Sequence, residues 1–205
     1  DSAIGQPLAT ATITGSLVIN AEGAGYTIPN GGSATGGTVL LRADGGHITT
    51  NSIFASASAF GATDLAGNGG AGTAGTITIQ LDHAGLLQAD FGLSAIADGT
   101  GTLGMVSSGD GRGGTINLSF LGTNSSAAIP YMYVSTTGSG GSLGQQPGDG
   151  FIGNDAFGGQ IDLTTETALN LSSLTLEAGA YGGNAGRSAN SSPYDGGDGT
   201  GGQIH

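Results

Sequence analysis

The 205 residues include 44 Gly, only 3 Lys+Arg against 15 Asp+Glu, a net charge of −12, and no Cys. Phosphate recognition needs clustered cations, so this balance excludes nucleic acid and anionic membrane surfaces as partners. The three cations are all arginines (Arg42, Arg112 and Arg187), which excludes lysine-dependent catalysis, and the lack of Cys excludes a disulfide-stapled small domain.

Charged residues make up 9% of the chain and hydrophobic ones 37%. That is not the profile of a disordered chain. The apolar residues fall in short alternating runs, which points to strands. No apolar run is long enough to cross a bilayer, so membrane insertion of this segment is not expected. The first residues, Asp1-Ser2-Ala3, lack an initiator Met, and the last ones fall inside a repeat, so we expect a fragment of a longer chain.

In chain order, Ala11–Thr14 reads as a worn copy of one strand type (A), and Leu17–Ala21 as a first copy of a second type (B). The clear units follow. Strand A opens with a glycine pair and a small polar residue, as in Gly36-Gly37-Thr38-Val39-Leu40-Leu41. It recurs as Gly75-Thr76-Ile77-Thr78-Ile79, Gly113-Gly114-Thr115-Ile116-Asn117-Leu118 and Gly158-Gly159-Gln160-Ile161-Asp162-Leu163, then starts again at Gly201-Gly202-Gln203-Ile204. The aligned polar residue falls at 38, 76, 115, 160 and 203, so the steps are 38, 39, 45 and 43. A period of this size is the mark of stacked units.

Each strand A is followed by a short Gly/Asn/Asp connector with turn chemistry. His47 and His83 lie in the first two connectors and read as exposed turn residues. Strand B follows as Ile53–Ala59, Leu93–Ala97, Tyr131–Val134 and Leu174–Ala180. Its inward residues are often Ala, which suits a narrow part of a closed cross-section. A long glycine-rich loop then returns the chain to the next unit. Helix signals are nearly absent; Thr165–Leu171 could form a single turn.

One such two-strand unit cannot shield its apolar side. Stacking like strand on like strand buries it and satisfies the backbone along the stack. Like strands joined by long crossovers run parallel. The expected fold is therefore all-β, a β-solenoid, most simply a right-handed parallel β-helix with the long Gly-rich loops on one face. A β-sandwich is the alternative, although it calls for shorter connections. The array forms one domain, 1–205, with units 1–35 (partial), 36–73, 74–112, 113–157, 158–200 and 201–205 (partial). Whether one unit makes one turn of the solenoid or two is open at this level.

No catalytic arrangement stands out, and we expect no enzyme. Serines have no repeated nearby base, and no glycine run leads into a helix with a Lys as a phosphate loop requires. Asp44 and Asp82 fall at related places after strand A, but the third unit has Leu121-Gly122 there, so they read as isolated solvated acids. Ca²⁺ is a candidate ion, because Asp149, Asp155, Asp195 and Asp198 place oxygen ligands on flexible glycine-rich backbone. The tandem nine-residue period of calcium-binding β-rolls is missing.

The glycine pair with Thr or Gln and Ile-x-Leu, the run Leu174–Ala180, Gly182–Gly186 and Gly197–Gly202 together resemble the repeat regions of very large bacterial exoproteins. These are filamentous-haemagglutinin-like adhesins and autotransporter passengers, and the resemblance covers nearly the whole chain from about Ala11. It implies a β-helical stalk, extracellular or held at the bacterial cell surface, with structural or adhesive duty as an adhesin stalk, fibre or biofilm matrix component. It carries no catalytic residues. The partners it implies are neighbouring repeats or identical subunits end to end, and glycans or a cell-surface receptor. The alternatives are a polysaccharide-binding or polysaccharide-cleaving β-helix and a calcium-stiffened surface module.

Overall fold

A computed structural model describes residues 9–26, 31–64, 67–142, 153–183 and 196–205. The described residues form strands and turns with no helix, and every strand pairing is parallel. The fold is a β-solenoid of stacked rungs.

One repeat makes one rung. Thr38, Thr76, Thr115, Gln160 and Gln203 are consecutive register partners, and so are Val39, Ile77, Ile116, Ile161 and Ile204. The steps of 38 to 45 residues are thus the length of a rung.

Each rung has four walls. The first is Thr38–Asp44, Thr76–Asp82, Thr115–Phe120, Gln160–Thr165 and Gln203–Ile204 in successive rungs. The second is Thr10–Asn20, His47–Ser56 and Leu86–Ile96, then Ser126–Ala128 with Tyr131–Ser135, and Ala168–Asn170 with Ser173–Glu177. Pro130, which has no N–H to donate, lies at the break in the fourth of these rungs. The third and fourth walls are columns of two-residue strands within the glycine-rich loops, such as Ala59–Phe60 with Gly99–Thr100, and Gly72–Thr73 with Gly111–Arg112.

The sequence reading of two strands and a loop is therefore corrected to four stacked sheets. Ala11–Thr14 is corrected as well. It is the first half of the second-wall strand Thr10–Asn20, with Thr10 beside His47 and Ala11 beside Ile48. Thr165–Leu171 forms no helical turn. It ends one strand and supplies Ala168–Asn170, which pairs with Ser126–Ala128.

Between the first and second walls lies the apolar core. Ile77, Ile79, Leu81, Ile116, Leu118, Phe120 and Ile161 face Leu87, Leu93, Ile129, Met132 and Val134, all buried. Each such side chain contributes roughly 1.5–3 kcal/mol by leaving water. The core then tapers. From the second wall into the third the inward residues run Ile53, Ala55, Ala57, Ala59 in one rung and Leu93, Ala95, Ala97, Gly99 in the next. Beyond the alanines the third and fourth walls touch backbone to backbone. A Cβ on Gly99 would overlap the carbonyl of Arg112, and one on Gly111 would overlap the carbonyl of Ser139. Glycine is what lets two sheets approach with nothing between them.

Candidate functional site

Inward residues are consumed by the core, so chemistry must lie on the outward faces. On the outer face of the second wall, period-two alternation turns Phe54, Ser94, Tyr133 and Thr175 out of the sheet as one cross-strand column. Ser52, Gly92, Tyr131 and Ser173 form a neighbouring column.

A bulge shapes this face. Opposite the single residue Asn51, between Thr50 and Ser52, the next rung fits Asp90 and Phe91 between Ala89 and Gly92. Gly92 takes φ +135, which disfavours any side chain, and a Cβ there would overlap the carbonyl of Tyr131. Phe91 is left standing clear of the sheet, 71% exposed, and Tyr131 beside it is 60% exposed. The middle rung thus offers small residues, Gly92 and Ser94, flanked by aromatic ones. The result is an open groove of about 370 Å³ lined by Phe54, Phe91, Tyr131 and Tyr133 with the hydroxyls of Ser52, Ser94, Ser173 and Thr175. A second depression of about 240 Å³, past the bulge, is lined by Gln88, Asp90, Asn170 and Ser172 among others.

The groove's tyrosine is held in place. Glu177 accepts hydrogen bonds from the phenol of Tyr133 at 3.2 Å and of Tyr181 at 3.1 Å. Burial, and then the Glu177 charge, push the Tyr133 phenol up from its ordinary value, and the hydrogen bond to Glu177 pushes Tyr181 up. Both therefore stay protonated donors at neutral pH.

A polar cluster occupies the corner between the first and second walls. Asp44 and Asp82 are register partners, and Arg42 bridges them, reaching Asp44 Oδ2 at 3.0 Å and Asp82 Oδ2 at 3.4 Å. His83 Nδ1 lies 2.7 Å from Asp44 Oδ1, and Gln80 donates to Asp82 at 2.6 Å. The expectation of isolated solvated acids is corrected: stacking brings them together and a shared guanidinium bridges them. Like charges directly opposed on a sheet repel, so the bridge offsets a strain the register itself creates.

Of the calcium candidates, Asp149 and Asp195 lie outside the described residues. Asp155 and Asp198 sit on successive rungs, where Asp155 Oδ1 accepts the Asp198 backbone N–H at 3.0 Å. Among the described residues no group of three or more His, Asp or Glu side chains converges on a point.

Compared with known protein families, curated proteins and solved structures, the chain finds no match. The sequence analysis assigns Tyr131-Met132-Tyr133-Val134 to a strand and no groove to its outer face. With Met132 and Val134 inward, both tyrosines must point outward.

Proposed function

We propose that this chain is a structural and adhesive segment of an extended secreted or cell-surface protein. It is a shaft that carries an exposed contact face. The observation that supports this is the continuous parallel pairing of rung on rung, from Thr10 beside His47 to Ile161 beside Ile204. A rung of about forty residues lengthens such a stack by only one strand spacing, ~4.8 Å, while its cross-section stays constant. The polypeptide thus builds a stiff, uniform rod of low contact complexity along its axis. In this reading the outermost rungs are covered by neighbouring repeats or identical subunits end to end, because open strand edges otherwise recruit other chains.

Two measurements test it. Small-angle scattering of this chain, and of two copies joined head to tail, should show a longer particle of unchanged cross-section. Antibody labelling of intact producing cells should reach the protein. A joined chain that grows in cross-section, or labelling only after lysis, would sink the proposal.

A further inference from the structure

We propose that the aromatic groove on the second wall binds a neutral polysaccharide chain. The proposal rests on the reading of the segment as an adhesive shaft and names what the shaft adheres to.

The aromatic side chains are exposed where a folded chain would gain by covering them, and they are clustered, which marks a binding surface. Ring faces carry negative charge density and attract the polarised C–H groups that a pyranose presents on its flat sides. Phe54 and Tyr133 lie two rungs apart across Ser94, roughly 9.6 Å at ~4.8 Å per strand. Sandwiching a planar ring at van der Waals contact would take only about 7–8 Å, so the gap leaves room for a puckered one. The rim supplies hydroxyls from Ser52, Ser94, Ser173 and Thr175, which can exchange hydrogen bonds with sugar hydroxyls.

Charge selects the ligand class. Among the described residues no cation lines the groove, Glu177 and Asp90 stand near it, and the chain carries −12 overall. Acidic glycans are therefore repelled and neutral ones admitted. The groove is open along the surface and adjoins the second depression with Gln88 and Asn170, as a chain passing over the sheet requires. The sheet backbone and the Tyr133–Glu177 hydrogen bond fix the site before the ligand arrives, which lowers the ordering cost.

The test is affinity electrophoresis of the 205-residue chain in gels containing hydroxyethyl cellulose, laminarin, galactomannan or soluble starch, with hyaluronan and polygalacturonate as acidic comparators. Retardation by at least one neutral polymer and by neither acidic one is expected. The double variant Tyr131→Ala/Tyr133→Ala should weaken that binding about tenfold or more, while Tyr26→Ala, an exposed tyrosine that does not line the groove, should not. On the unaltered chain, which has no Trp, the bound polymer should change the tyrosine fluorescence, a readout that does not depend on any variant folding. Retardation by no neutral polymer, binding indifferent to the groove variant, or binding to acidic polymers alone would overturn the proposal. So would a concentration-dependent dimer, seen by sedimentation and abolished by the double variant, because a second copy would then occupy the face. Any of these would leave the shaft reading standing, since scattering and cell labelling decide that separately.

Discussion

The backbone N–H of Gly114 donates to the carbonyl of Ala97 at 2.8 Å, across the inside of a single rung rather than along the stack. The same bond recurs as Gly37 to Ala21, Gly75 to Ala57, Gly159 to Thr136 and Gly202 to Ala178, at 2.6 to 2.8 Å. The carbonyls of Gly37, Gly75, Gly114 and Gly159 meanwhile accept from the next rung, as Gly75 does from Thr115. The glycine just before each aligned Thr or Gln is thus a latch. It closes the wide apolar core where the walls converge, and it does so with backbone alone.

The latch predicts a sharp position dependence for Gly→Ala changes. A Cβ on Gly114 would overlap the carbonyl of Gly75 and lie 3.1 Å from the Cβ atoms of both Ala74 and Ala97. Gly114→Ala should cost about 2–4 kcal/mol in chemical denaturation, from overpacking and a weakened buried hydrogen bond. Gly15→Ala has nothing within 4 Å of the added carbon and should be neutral or stabilise by about 0.4–1 kcal/mol. Equal effects at the two sites would show that the glycines are needed only for chain flexibility.

How much of this was legible beforehand depends on side-chain period. The aligned Thr and Gln residues at 38, 76, 115, 160 and 203 gave the first-wall register outright, because alternation around them is strict. The second-wall strand Thr10–Asn20 reads as two because Gly15-Ser16 falls between its apolar residues like a turn, at the register shift between Ile13 and Ser16, although the in–out alternation runs straight through it. The third and fourth walls were invisible. Strands of two residues have no period, and glycine has no side chain to show one. Arg42 and Asp44 share an outward phase and could have been paired from spacing alone. That Asp82 completes the cluster needed the stack.

That cluster gives the second prediction. Removing the guanidinium leaves Asp44 and Asp82 opposed on adjacent rungs with no cation between them. Arg42 is about half exposed, so the loss is small: Arg42→Met should destabilise by about 0.5–1 kcal/mol at low ionic strength. High salt should shrink that difference. A salt-independent loss would instead point to the packing of the arginine stem.

The third prediction concerns a hydroxyl inside the taper. Thr136 is fully buried, its carbonyl receives the Gly159 latch, and its side-chain oxygen has no hydrogen-bond partner. Replacing that oxygen with a methyl of similar volume removes an unmet desolvation penalty without opening a cavity. Thr136→Val should therefore stabilise the fold by about 1 kcal/mol, read as a raised denaturation midpoint with an unchanged slope. A loss of stability would mean that a water shares the site with the hydroxyl.

The fourth prediction follows from Glu177 and its two phenols. Burial raises Tyr133 and the hydrogen bond that Tyr181 donates to Glu177 raises Tyr181, so in the folded chain both hold their protons above the ordinary tyrosine value of about 10. The folded state then binds more protons than the unfolded one above that pH, and stability must fall as pH rises. Below about pH 10 the contribution is complete; above it, the contribution drains away until the folded-state phenols ionise. Ultraviolet titration of tyrosinate, run alongside denaturation at each pH, reads both sides of the linkage. In Glu177→Gln the carboxylate that disfavours a phenolate is gone, so tyrosinate should appear at lower pH and the alkaline decline in stability should flatten. The same substitution loosens the ring of Tyr133 in the groove, so a neutral polysaccharide should bind the variant more weakly at neutral pH, where neither phenol has ionised. An unchanged titration in Glu177→Gln would mean that burial alone holds these protons, and that Glu177 does not position the groove.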